Sequence, residues 1–287
     1  MSRIQTLLEK AEREGTARRL RRDTLADLVS APDASTPAAP PDRTPLTVVA
    51  SAVTMLETPE VDPLDPPRPR PVAAPRPLAL SPALVSALQP NALVSEQFRT
   101  LRTRIANLAH GRGARTLLLT SPGRGDGKSV LAANLALTMG QEIQQRVCLV
   151  DASLRDAAVH ALFGVPEHPG LVEVLHGDAT LDEALVPLDE YQLTVLPAGR
   201  LPLHPAELLS SPEMRRTLDA LRSRFDRVLI DAPPVQPMAD VSILLPLVDG
   251  AVIVVRAGVT GTPALQHAIQ ALDRSRLLGV VLNDIHD

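Results

Sequence analysis

Thr120-Ser121-Pro122-Gly123-Arg124-Gly125-Asp126-Gly127-Lys128-Ser129 stands between an apolar run at 115–119 and a segment of helical apolar periodicity at 130–139. A glycine-rich turn between a strand and a helix, ending in Gly-Lys-Ser, is a local structure by which backbone N–H groups surround the phosphates of a nucleotide. The glycines let the chain curl until several amides face one anion. In that reading Lys128 reaches the β- and γ-phosphates and Ser129 offers its hydroxyl to Mg²⁺. The strict pattern has glycine five places before Gly127; here Pro122 stands there, with Gly123 beside it. The alternative is a glycine-rich surface turn, and the flanking strand and helix favour the phosphate loop.

Composition narrows the classes. The chain has 287 residues, enough for one sizeable domain and an extension, and a net charge of −4, which argues against a nucleic-acid-coating protein. One Tyr, three Phe and no Trp leave no aromatic platforms for stacking bases, so the core is built of Leu, Val, Ile and Ala. Cys148 is the single cysteine and lies in an apolar run, which reads as a buried thiol with no disulfide. No uninterrupted apolar stretch is long enough to span a bilayer, and residues 1–14 are charged throughout, so a cytoplasmic location is expected.

Three zones follow. Residues 1–28 read as a short helix, with Ile4, Leu7, Leu8 and Ala11 at helical spacing and Arg18-Arg19-Leu20-Arg21-Arg22 adding positive charge. This segment is either a solvated helix or a docking helix for a partner or an anionic membrane surface. Residues 29–90 hold 15 of the 28 prolines and no glycine, the composition of a stiff, disordered tether. Residues 91–287 form the folded domain. Its apolar runs at 116–119, 147–150, 193–196, 228–230, 251–255 and 278–282 alternate with helical patterns at 130–139, 212–224, 237–247 and 263–275. Continuous apolar strands separated by helices predict an α/β fold, a mostly parallel sheet with helices on both faces.

Ligands of such sheets bind beyond the carboxyl ends of the strands. Asp151 closes one apolar run and Asp231 another, where a carboxylate can reach Mg²⁺ beside a triphosphate; the competing role for each is a turn or helix cap. Asp240 either lines the same site or caps the following helix. Glu96, Arg99 and Arg102 recur at three-residue steps, as a solvated helix face or as an arginine–carboxylate interface between subunits. The seven histidines show no metal-ligand spacing, and no nucleophile–base set is visible.

Together these residues resemble the bacterial tyrosine kinases of capsule and exopolysaccharide assembly (CpsD/CapB type), within the P-loop NTPase superfamily. The resemblance covers most of 91–287. The loop at 121–129 is similar to the family's Walker A, Leu149-Val150-Asp151-Ala152-Ser153-Leu154-Arg155 to its Walker A′, and Leu229-Ile230-Asp231-Ala232-Pro233-Pro234 to its Walker B. Glu96, Arg99 and Arg102 match its oligomerisation motif. Gly279-Val280-Val281-Leu282-Asn283 resembles the last strand, whose Asn faces the adenine in related ATPases.

The resemblance implies ATP and Mg²⁺ as cofactors. It implies nucleotide contacts from Gly123, Gly125, Asp126, Gly127, Lys128, Ser129, Val130 and Asn283, metal contacts from Ser129, Asp151 and Asp231, and catalytic roles for Lys128, Asp151 and Asp231. It further implies a homo-oligomer at the inner face of the cell membrane, partnered by the cytoplasmic segment of a transmembrane chain-length or export protein, with no nucleic acid. Two departures stand out. Ser153 occupies the place of the second Walker A′ aspartate, and Tyr191 is the one tyrosine, so phosphorylation of a C-terminal tyrosine cluster is not expected. The expected function is therefore a kinase-like regulator of polysaccharide synthesis and export. Its rivals are a non-catalytic, nucleotide-gated assembly protein and a positioning ATPase of the ParA/MinD kind.

Overall fold

The computed structural model describes residues 79–110, 115–237 and 239–283. The helix expected at 1–28, and the tether as far as residue 78, lie outside the described residues. Seven strands, β1 (Thr116–Thr120), β2 (Val147–Asp151), β3 (Val186–Leu188), β4 (Leu193–Leu196), β5 (Arg227–Asp231), β6 (Gly250–Arg256) and β7 (Leu277–Asn283), form one sheet in the order β3-β4-β2-β5-β1-β6-β7. All neighbours are parallel except β3 and β4. β1 and β2 are buried along their whole length, as strands covered on both faces must be.

Successive side chains feed opposite faces, the period-two rule of a strand. Leu118, Cys148 and Val150 join one apolar cluster, while Leu117, Leu119, Val147 and Leu149 join the other. Complete burial pushes the Cys148 thiol far above its usual range, so the inert role expected for it holds. The antiparallel edge strand β3 was not expected. It is three residues long and carries Pro187, whose missing N–H is tolerated at a sheet edge.

The first cluster is closed by α5 (Leu171–His176), α7 (Pro205–Leu209), α8 (Pro212–Arg224), α9 (Asp240–Leu244) and α10 (Thr262–Ala271). The second is closed by α1 (Val85–Leu88), α2 (Leu93–His110), α3 (Lys128–Gly140) and α4 (Val159–Phe163). α6 (Leu181–Ala184) leads into β3. Ser211 caps α8 by accepting the Met214 N–H, with Pro212 at the first helical position, as the sequence implies.

α3 is buried on every side, from Leu131 to Gly140. A helix apolar all round needs cover on the side away from the sheet, and α1 and α2 supply it. This corrects the expected boundary of the tether at residue 90: residues 79–90 belong to the fold. Leu84 is 0 % exposed. The buried Asn134 of α3 accepts the Ser86 N–H at 2.9 Å and donates to the Ala83 carbonyl at 2.9 Å. The Ser81 N–H reaches the Leu162 carbonyl at 2.8 Å. Leu84→Ala should therefore destabilise the protein by about 2–5 kcal/mol, the range for a large core side chain cut to alanine. Leu88→Ala, at a side chain 49 % exposed, should stay within about 0.5 kcal/mol of the parent. Denaturant unfolding of the two variants reads the difference.

Candidate active site

β1 delivers the chain to residue 121 at the carboxyl edge of the sheet, and α3 leaves from Lys128. Between them Gly125 and Gly127 hold φ of +80° and +84°, values that L side chains rarely adopt. Gly127 also has no room for a β-carbon, which would lie 2.1 Å from the Asn283 amide nitrogen. Gly127 is the N-cap of a 13-residue helix with no side-chain cap and no acid in its first turn. Its amino end therefore presents unpaired N–H groups and a partial positive charge, the conditions for gripping an anion. Val130 stands half-buried in that first turn, and Gly125 is exposed at the turn's tip.

Lys128 folds back over the strand tips. Its Nζ lies 3.1 Å from Ser129 Oγ, 3.5 Å from Ser153 Oγ and 3.6 Å from Asp231 Oδ1, with the side chain 12 % exposed. Asp151 and Asp231 are register partners at the ends of β2 and β5. Both are fully buried, yet their surroundings differ. Asp151 Oδ1 accepts the Ser153 N–H at 3.0 Å, and its Oδ2 accepts those of Ala158 and Val159 at 3.0 Å each. Neither Asp231 oxygen has a donor at full hydrogen-bond distance, though the Lys128 ammonium and the Ser129 hydroxyl stand close enough to favour its charged form. Burial raises the Asp231 pKa to about 7; the Lys128 ammonium opposes the rise and the Asp151 charge adds to it. Burial is also the largest influence on Asp151 and raises it, against the pull of three backbone donors.

The residues present fit a hard divalent cation. Two buried carboxylate oxygens without donors at full hydrogen-bond distance, beside a serine hydroxyl at the foot of a phosphate loop, form an oxygen donor set of the kind Mg²⁺ takes. Asp231 and Ser129 are that set. Asp151, expected among the metal and catalytic groups, accepts three backbone N–H groups that shape 153–159, which is the turn-holding role weighed beside them.

Three more expectations are reshaped. Asp126 turns inward, with Oδ2 accepting the Gly123 N–H at 3.0 Å and Oδ1 accepting the Thr260 hydroxyl, so its side chain supports the loop. Asn283 donates to the Asp126 carbonyl at 3.0 Å, placing it at the loop as expected but with its amide nitrogen tied to backbone. Asp240 opens α9 with its Oδ2 3.4 Å from Arg155 Nε. Thr260 was missed on sequence. It sits in the turn after β6, where no motif marks it.

Of the helix motif, Glu96 and Arg99 pair with each other, and Arg99 also donates to the Pro90 carbonyl at 2.8 Å. Arg102 leaves that face: it donates to the Thr138 carbonyl at 2.7 Å and pairs with Glu142 at 3.0 Å. Tyr191 precedes β4 at the amino edge of the sheet, opposite the phosphate loop, with its carbonyl oxygen against Gly140. Burial and then Glu190 raise its phenol pKa.

Comparison with known proteins agrees with this geometry. The profile of the family described as cellulose biosynthesis protein BcsQ matches residues 116–285. The tyrosine-protein kinase YwqD of Bacillus subtilis is 37 % identical over 202 residues, which is 70 % of this chain and 85 % of that protein. A putative tyrosine-protein kinase, EpsB of Ralstonia nicotianae, is 33 % identical over 190 residues, 66 % of this chain but 25 % of that longer protein. Among solved structures, the chimerical protein CapA2B2 superposes with a TM-score of 0.67 at 30 % identity, over 70 % of this chain and 89 % of that one. The matched span holds β1 to β7 and every residue of the phosphate loop, and on these grounds the chain belongs to the bacterial tyrosine-kinase family of capsule and exopolysaccharide biosynthesis, with the P-loop NTPase fold.

Proposed function

We propose that this protein binds ATP with Mg²⁺ and transfers the terminal phosphoryl group to a tyrosine on a partner protein, regulating polysaccharide polymerisation and export. The observation that carries the reading is Asp231: a buried carboxylate with no donor at full hydrogen-bond distance, 3.6 Å from the lysine that ends a phosphate loop. Phosphoryl transfer asks mainly for positioning and for stabilisation of charge on the moving group. The amides of 124–129 and the α3 dipole hold the phosphates. Lys128 then exchanges its Asp231 contact for the phosphate oxygens on which charge develops. Ser129 and Asp231 would hold Mg²⁺, which would supply positive charge to offset that of the phosphates. Asp151 contributes through shape, fixing the Ser153 N–H and the 158–159 amides.

The acceptor is placed on another protein, because Tyr191 lies at the far edge of the sheet. The proposed partner is the cytoplasmic segment of a transmembrane chain-length or export protein, with this chain peripheral at the inner membrane face. Self-association is proposed through Glu96 and Arg99, flanked by the exposed Leu93 and Val94. Arg102 braces that helix against α3 from the other side. No helix among the described residues is long and apolar enough to cross a membrane. One observation favours a second reading, the nucleotide-gated assembly protein: Ser153 supplies a neutral hydroxyl in the place of an acid, so Asp231 is the one carboxylate paired with Lys128.

Three outcomes are expected. Calorimetric titration with Mg·ATP gives a binding isotherm for the parent, and Lys128→Ala loses at least a hundredfold in affinity while its melting profile stays cooperative. Loss of the ammonium leaves Asp231 free to take up a proton, so no bare buried charge remains to break the fold. Unchanged affinity in that variant refutes the loop assignment.

Incubation with ATP, Mg²⁺ and the membrane partner's cytoplasmic segment yields phosphotyrosine on that segment by mass spectrometry. ADP release without phosphotyrosine would instead select the assembly reading.

The third concerns pH. Because the folded-state pKa of Asp231 is raised to about 7 from an ordinary value of 3.8, folding disfavours its charged form. Its contribution to the stability of the metal-free protein therefore falls as pH rises from about 4 to about 7 and is flat above. Asp231→Asn lacks this slope, so the stability difference between variant and parent grows in the variant's favour across that window, as read by urea unfolding at a series of pH values.

A further inference from the structure

An aspartate inside an anion-gripping loop is a liability unless its charge is satisfied and turned away from the anion. Asp126 meets both conditions. It is 4 % exposed, and both its oxygens have donors: the Gly123 N–H on one and the Thr260 hydroxyl on the other. The Thr260 donor is itself fixed. β6 ends at Arg256, and the chain reverses through Gly258 at φ +72°. Three hydrogen bonds close that turn: the Arg256 N–H donates to Thr260 Oγ1 at 3.0 Å, and the Arg256 carbonyl accepts the Thr260 N–H at 3.0 Å and the Val259 N–H at 3.3 Å. With the hydroxyl oxygen accepting from Arg256, its one proton is directed at Asp126. On the backbone side, the Asp126 carbonyl accepts the Asn283 amide at 3.0 Å, so β7 grips the same residue.

We propose that Thr260 is a positioning residue for nucleotide binding: through the Asp126 carboxylate it holds the phosphate loop in its anion-gripping shape before the nucleotide arrives. The inference rests on the nucleotide reading of that loop. Without the hydroxyl, a buried carboxylate oxygen loses its donor, and the donors closest in the chain are the loop's own amides. A carboxylate that turns to them competes with the phosphates for the same N–H groups, and the loop must be reorganised during binding. Preorganisation acts on affinity, so the dissociation constant should rise while the fold remains. Thr260 acts through Asp126, the side chain its hydroxyl donates to.

The test uses the full chain, with Mg·ADP and Mg·ATP as probes in calorimetric titrations well below the melting temperature. Thr260→Val is nearly isosteric at a half-buried turn position, and Thr260→Ala provides a second hydroxyl-free variant should the first fold poorly. Both should raise the dissociation constants about tenfold, by a similar factor for the two nucleotides, because the loop grips the phosphates they share. Thr260→Ser, which keeps the donor, should return both to within about twofold of the parent. A purely structural role would lower the melting temperature with no change in affinity at the titration temperature. That result, or a serine variant as weak as the valine one, overturns the proposal while leaving the loop assignment intact. Failure of the parent to bind either nucleotide overturns both.

Discussion

The contact on which the site depends is the pair formed by Lys128 and Asp231 at the carboxyl edge of the sheet. Removing one partner of a buried pair costs about 3–5 kcal/mol where the remaining charge cannot be neutralised. Here the Asp231 charge is only partly compensated, since the ammonium stands at 3.6 Å and no donor comes within full hydrogen-bond distance. Donors were within the chain's means: its register partner on β2 collects three backbone N–H groups. The same residue type on adjacent strand ends has thus been given opposite surroundings. One accepts three backbone donors and shapes a turn; the other has no donor at full hydrogen-bond distance and a pKa raised to about 7. Such asymmetry between neighbouring titratable groups is a mark of a site organised for chemistry, since satisfying both carboxylates would have made the more stable protein.

Placing that pair requires α3 to start at the tip of the central strand, and this sets the packing on one whole face. β1 lies between β5 and β6, so α3 runs over the middle of the sheet and is buried on all sides. The layer formed by α1 and α2 follows from this burial. Asn134 and Thr138 are the polar residues that bind the layer together: Asn134 holds the 83–86 backbone, and Thr138 presents its carbonyl to Arg102. The helix carrying Glu96 and Arg99 is therefore fastened to the helix that cradles the phosphates.

The legibility of the sequence followed the range of the forces involved. The phosphate loop, the strands ending in Asp151 and Asp231, and the capped helix α8 are set by residues within about ten positions of one another, and each was readable. The tether boundary was misplaced because Pro82 and Pro90 carry a local signal for extended chain, whereas the anchoring of 79–90 comes from Asn134, 48 residues away from Ser86. Strand β3 escaped for a related reason: three residues including a proline have no periodicity, and only pairing with β4 makes them a strand. Glu96, Arg99 and Arg102 are spaced for one helical face, but Glu96 is exposed, Arg99 reaches back to the Pro90 carbonyl, and Arg102 turns onto Thr138 and Glu142. Asp126 and Asn283 were both assigned to the nucleotide site; their position was legible, but the direction of their side chains depended on Thr260 and on a close approach at Gly127.

The position of Ser153 connects these observations. Its backbone N–H serves Asp151, and its hydroxyl stands within reach of Lys128, so it belongs to the site without adding charge. An aspartate there would lie beside two buried carboxylates already in register, and each added negative charge would raise the cost of ionising Asp231 further. With serine, one ammonium faces one unsatisfied carboxylate, and that pair approaches balance before any ligand enters. Incoming phosphates then compete with Asp231 for Lys128, while a divalent cation competes with Lys128 for Asp231. Under the proposed function, nucleotide and metal would then favour each other's binding by dividing a single ion pair between them. That mutual dependence holds under the kinase and the assembly readings alike, because it arises from charge balance at the strand tips and is independent of the fate of the phosphoryl group.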